Sequence, residues 1–204
     1  MPFFLFSSLR SPRLCGWNKA QSEIVRKSLH ALGCVWAVLG YFRPGLVVVG
    51  LSVFTVFYII HEALRLRGRG IVLVERLGNM TRRQRERKAA ALGPVALALG
   101  VIICFLTFDP RLASAAVLAA CGCDCAAGVV GILWGRHPLI FFRRKTVEGT
   151  LAGFVAGFLA CAPVVGILLG LAGGLAASAV EAFPLEDLDN IVVPVAVACV
   201  LALL

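Results

Sequence analysis

Apolar residues along this chain gather in long runs, broken by short charged or turn-forming stretches. Runs of about 15–22 residues are long enough to cross a hydrocarbon core of roughly 30 Å as a helix. The pattern predicts helices over 20–42, 45–66, 89–108, 112–134 and 191–204. The nearly continuous apolar run over 146–182 is too long for one span and suits two, broken between Pro163 and Gly174. The expected fold class is all-α, a polytopic helical membrane protein of about seven spans. Residues 20–204 then form one transmembrane domain. Residues 1–19 are a cytoplasmic tail, because the apolar start is too short for a signal-peptide core.

Composition agrees with this pattern. Sixty per cent of residues are hydrophobic and 15% charged, against about 45–50% and about 25% in soluble domains. Lys and Arg number 20 against 11 Asp and Glu, a net charge of +9. Most basic residues fall in 1–19, 67–88 and 135–145, and the densest cluster, Arg82 to Lys88, lacks the interleaved aromatics of a nucleic-acid surface. Membrane topology and anionic headgroups account for them, and no nucleic-acid partner is expected. Alternation of the spans puts all three basic segments on the cytoplasmic side, with the N-terminus inside. The segment 181–190 falls on that side too but is acidic (Glu181, Glu186, Asp187, Asp189). A metal-binding role would explain the exception. The short loops lean towards the plasma (inner) membrane of a bacterium.

Seven of the eight cysteines lie in apolar runs, where they serve as small hydrophobes. Cys121-Gly-Cys-Asp-Cys125 has the wrong spacing for zinc, and on a helix Cys123 points away from the other two.

The chemistry is carried by the charges that break the apolar pattern. An ionisable residue inside a membrane span is a functional candidate, and Asp124 is the clearest. The polar island from Phe142 to Thr150 lies between two apolar runs. Lys145 and Glu148 stand there at i, i+3 spacing beside a predicted helix start, where free N–H groups and the dipole attract phosphate. Gly149 allows close approach of a backbone or a ligand. Glu181, Asp187, Asp189 and Asn190 offer oxygen ligands suited to Mg²⁺. Glu23, Lys27 and His30 share one helix face.

Taken in order, these residues resemble the polyprenol kinase family, which includes dolichol kinases, phytol kinases and CTP-dependent diacylglycerol kinases. Glu23-Ile-Val-Arg-Lys-Ser-Leu-His30 matches its N-terminal pattern. Asp124 among small residues, Val129 to Pro138, and Lys145-Thr-Val-Glu-Gly-Thr-Leu-Ala-Gly153 follow in the expected order. Leu188-Asp-Asn-Ile-Val-Val-Pro194 matches its late Asp-Asp-Asn-x-x-x-Pro pattern, with Leu188 in place of the first acid. Cys123-Asp124 stands where the family has Gly-Asp. The resemblance implies an enzyme, a phosphotransferase moving the CTP γ-phosphoryl group to the hydroxyl of a membrane lipid at the cytoplasmic boundary. It implies Asp124, Lys145, Glu148 and Asp189 in catalysis, and Mg²⁺ on Asp124, Asp189 and Glu181. Arg26, Lys27, His30, Arg144, Gly149 and Asn190 would hold the nucleotide. The glycine-rich pair of helices over 146–182 would leave room for the lipid chain. The Lys-x-x-Glu-Gly element is also similar to that of CDP-diacylglycerol synthases, so a phosphatidate cytidylyltransferase is the alternative. A transporter is a more remote one.

Overall fold

The computed structural model of the protein describes residues 23–28, 30–69, 90–139, 145–183 and 188–204. The tail 1–19, most of the basic segment 67–88, and Arg143 and Arg144 lie outside the described residues. A helical stretch over 23–28 leads into seven helices among the described residues. These are α1 (Gly33–Phe42), α2 (Pro44–Leu66), α3 (Gly93–Thr107), α4 (Pro110–Leu133), α5 (Val147–Val165), α6 (Ile167–Glu181) and α7 (Asp189–Leu203). The described residues contain no strand, only an isolated bridge between Pro138 and Thr146.

Local chemistry sets the boundaries. Proline opens α2 and α4 and sits in the first turn of α3, where a missing N–H costs nothing. Asp109 caps α4, its carboxylate accepting from Arg111 N at 2.9 Å. Thr146 caps α5, its hydroxyl accepting from Gly149 N at 3.2 Å. Gly166, at φ 94°, separates α5 from α6 in a conformation that side-chain-bearing residues avoid. The break falls inside the predicted Pro163–Gly174 window.

The surface is that of a bundle in apolar surroundings. On α2, Leu46, Val49, Val53, Val56 and Ile60 recur every three or four residues and are all exposed. In water such a stripe would be turned inwards. Here α2 buries Val47, Leu51 and Thr55 on the opposite side. Three helices, α2, α4 and α5, are long and apolar enough to cross a membrane. Helices α3, α6 and α7 have 15 residues each. They rise only about 22 Å, short of a roughly 30 Å core.

Helix α4 is the centre, packed against α1, α3, α5, α6 and α7. From Ala113 to Cys125 it is mostly alanine, serine, glycine and cysteine, and it is buried on all sides from Ala113 to Val117. Small residues let backbones approach, which drives packing where lipid removes the hydrophobic incentive. Gly149, Gly153 and Gly157 form the matching stripe on α5. A β-carbon on Gly153 would stand 2.9 Å from Cys123 Sγ, and one on Gly157 would stand 3.2 Å from the Ala119 carbonyl.

The glycines of α6 are spent in the same way. A β-carbon on Gly174 would lie 2.7 Å from Phe158 N, and one on Gly170 2.7 Å from Ala162 Cα. Room for a lipid chain between α5 and α6 is therefore not found: the glycines bring the two helices together instead of leaving a gap.

Candidate functional site

The antiparallel path of the chain brings one set of helix ends together. Lys145 precedes α5, Glu181 ends α6 and Asp189 opens α7. Helix α4 passes beside them with Asp124 on its buried face, 8% exposed. The stretch before α1 supplies the remaining partners. Lys27 donates to Asp124 Oδ1, and His30 Nδ1 lies 3.1 Å from Asp124 Oδ2. Lys27 reaches Asp124 over Gly128, one turn further along α4. A β-carbon there would meet the lysine Cε at 2.6 Å. Cys125 fastens the same stretch by donating to the Lys27 carbonyl at 2.8 Å.

Across the site, Lys145 Nζ donates to Glu181 Oε1 at 2.5 Å. Glu181 is buried, while the lysine side chain remains 28% exposed. Oxygens of Asp124, Glu181 and Asp189 all lie within 4.8 Å of one another. At that spacing each pair of ionised carboxylates repels by at least about 3.5 kcal/mol at an effective dielectric near 20. The cluster persists because two ammonium groups are built into it.

His30, Asp124, Glu181 and Asp189 close the polar end of a narrow cleft with a cavity volume of about 20 Å³. Its other walls are apolar, from Leu97 and Val101 of α3, Val117 of α4 and Val193 of α7. Asn190 also lines it, 7% exposed, and its Nδ2 finds no hydrogen-bond partner among the described residues. The backbone N of Asn190 donates to Asp189 Oδ1 at 2.8 Å. Pro194 cannot donate to the Asn190 carbonyl one turn earlier. Gly100 of α3 lies against that carbonyl, leaving no space for a β-carbon.

Of the residues expected at the site, Asp124, Asp189, Glu181, Lys27, His30, Lys145 and Asn190 lie together. Others lie elsewhere. The carboxylate of Glu148 is taken by His137, whose Nδ1 is 2.6 Å away and whose backbone N donates at 3.2 Å. Gly149 is buried against α4, where a β-carbon would stand 2.7 Å from the Ala127 carbonyl. Arg26 stands at the edge of the site, paired with Glu23 at 2.8 Å within its own helical stretch and close enough to Asp124 and Asp189 to interact with their charges. Arg144 lies outside the described residues. Three contributors were not foreseen: Gly128, His137 and the valine wall. Gly128 left a sequence signal, at i+4 from Asp124 on the same face, and His137 lies within the Val129-to-Pro138 motif.

The result is a polar site of three carboxylates and two ammonium groups set into the end of an apolar helical bundle. Against known proteins, the chain is similar to a protein of Schizosaccharomyces pombe described as CTP-dependent diacylglycerol kinase 1. The two are 27% identical over 212 residues, which span 92% of this chain and 95% of that protein. No family model matches the chain, and no solved structure matches it.

Proposed function

We propose that this chain is a CTP-dependent lipid kinase of the polyprenol kinase type, transferring a phosphoryl group to the hydroxyl of a membrane lipid alcohol. The observation that carries the reading is the convergence of Asp124, Glu181 and Asp189 with Lys27 and Lys145 at one end of the bundle. The likeness to a diacylglycerol kinase over nearly the whole chain supports it. In this reading the chain crosses the membrane seven times with its N-terminus in the cytoplasm, and the site faces the cytoplasmic boundary.

Phosphoryl transfer asks for positioning and charge neutralisation rather than covalent catalysis. Lys145 meets the phosphates from the exposed side. Lys27, Arg26 and His30 meet them from the stretch before α1. The acidic group offers an all-oxygen donor set of the kind Mg²⁺ takes, so Asp124, Asp189 and Glu181 would hold that ion, whose contribution is to neutralise phosphate charge. One of these acids takes the proton of the lipid hydroxyl. The hydroxyl oxygen bonds to the γ-phosphorus, the bond to the β-phosphate oxygen breaks, and CDP leaves.

The test is label transfer from γ-labelled CTP to diacylglycerol, dolichol, undecaprenol or phytol by purified protein with Mg²⁺. Labelled lipid phosphate is expected. Release of pyrophosphate from CTP and phosphatidate would instead favour the cytidylyltransferase, with which the Lys145-to-Gly149 element is shared. No product of either kind overturns both readings.

A further inference from the structure

We propose that Ser178 is a positioning residue: its hydroxyl fastens the end of α6 to the first turns of α5, and so keeps Lys145 in place when substrate draws it away from Glu181. This rests on the kinase reading, which takes Lys145 to the phosphates and Glu181 to the metal ion.

One face of α6 meets α5. Gly170, Gly174, Ser178 and Glu181 recur at spacings of four, four and three, which makes a single helical stripe. In antiparallel order these residues face Ala162, Phe158, Thr150 and Lys145. At both glycines a β-carbon would stand 2.7 Å from the neighbouring backbone. That packing sets how near the two helices lie. Direction along the seam has to come from hydrogen bonds.

Ser178 and Glu181 supply it. Ser178 is 5% exposed, and its Oγ donates to the Thr150 carbonyl at 2.9 Å. A serine inside a helix often bonds back to the carbonyl one turn earlier; this one crosses to the neighbouring helix instead. One turn further on, Glu181 accepts from Lys145 at 2.5 Å. Thr150 carries the link towards Lys145, its Oγ1 donating to the Thr146 carbonyl at 3.0 Å. The ends of α5 and α6 are therefore joined by two rungs, one neutral and one charged.

The rungs have different fates during turnover. Phosphate competes with Glu181 for the lysine ammonium, and a divalent cation competes with Lys145 for the carboxylate. Substrate thus loosens the charged rung at the moment when placement matters. Ser178 and Thr150 carry no charge and stay out of that exchange. Their bond holds the helix ends together and keeps Lys145 within reach of the same phosphate oxygens. A misplacement of about 1 Å in such a group can cost on the order of 10²-fold in rate.

The experiment uses the full-length protein in detergent micelles. Ser178→Ala removes the hydroxyl and little volume. In the label-transfer assay it should lower kcat about tenfold and leave the KM for lipid nearly unchanged. Ser178→Thr, which keeps the hydroxyl, should restore most of the loss. If its extra methyl group disturbs the fold, Ser178→Cys, a weak donor of similar shape, should fall between alanine and wild type. Thermal unfolding without nucleotide reads the rungs directly. Lys145→Met and Ser178→Ala each leave one rung, so the double variant should lower Tm by more than the two single shifts added together. Wild-type kcat in folded Ser178→Ala, a loss that neither threonine nor cysteine relieves, or additive Tm shifts overturns the assignment. More-than-additive shifts in a protein whose wild type transfers no label keep the rung and refute the kinase reading instead.

Discussion

Lys27 and Asp124, separated by 97 positions, form a buried ion pair that ties the stretch before α1 to the central helix. His30 shares the same carboxylate from one turn further on. A charge in apolar surroundings is held only when paired, so each partner depends on the other. Lys27→Met should destabilise the protein by about 3 kcal/mol, by leaving Asp124 without its main counter-charge. The double variant Lys27→Met/Asp124→Asn should recover most of that loss, measured by unfolding in detergent micelles. Additive losses would show that the pair carries no coupling.

Asp124→Asn should abolish turnover while the protein still folds. The asparagine keeps the shape and can still accept from Lys27, but it gives up the charge. Near-normal kcat in a folded Asp124→Asn protein would return this residue to a structural role.

Lys145 lies at the exposed side of the site, and Glu181 is its partner. Removing one charge that stabilises a transferring phosphoryl group typically costs about 10²–10³ in kcat. Lys145→Ala should fall in that range. The KM for lipid should change far less than kcat.

Glu148 behaves differently because His137 holds it away from the other acids. Its contact holds His137 beside the start of α5, where the Pro138–Thr146 bridge also fastens the chain. Glu148→Gln and His137→Ala should each lower activity only modestly, and the double variant should be no worse than either. Complete loss in Glu148→Gln, with His137→Ala fully active, would restore Glu148 as a reacting group.

The glycine stripe on α5 is a packing device. Gly153→Ala places a β-carbon against Cys123 Sγ and should destabilise by about 1–3 kcal/mol through overpacking. Gly45, with nothing near its missing side chain, should accept alanine without loss.

Much of the helix pattern was legible in the sequence, because apolar runs, prolines and Gly166 are local signals. The span 45–66 and the observed α2 differ by one residue at the start. Length was the weak point: the 15-residue helices α3, α6 and α7 fall short of a span by rise alone. Polar residues in apolar runs singled out Asp124, and the motif order singled out Lys145 and Asp189. What was not legible depended on which faces meet. Gly170 and Gly174 read as possible space until their partners across the seam were known. Val117 and Val193 read as ordinary core until the cleft between their helices appeared. Glu148 lay beside Lys145 in sequence, but His137 captures it.

The most direct measurement is the fate of the γ-phosphate of CTP with purified protein, Mg²⁺ and a lipid alcohol in micelles. Label appearing in lipid phosphate, together with stoichiometric CDP and its loss in Asp124→Asn, is the predicted result. Folded wild-type protein that labels none of diacylglycerol, dolichol, undecaprenol or phytol would contradict it.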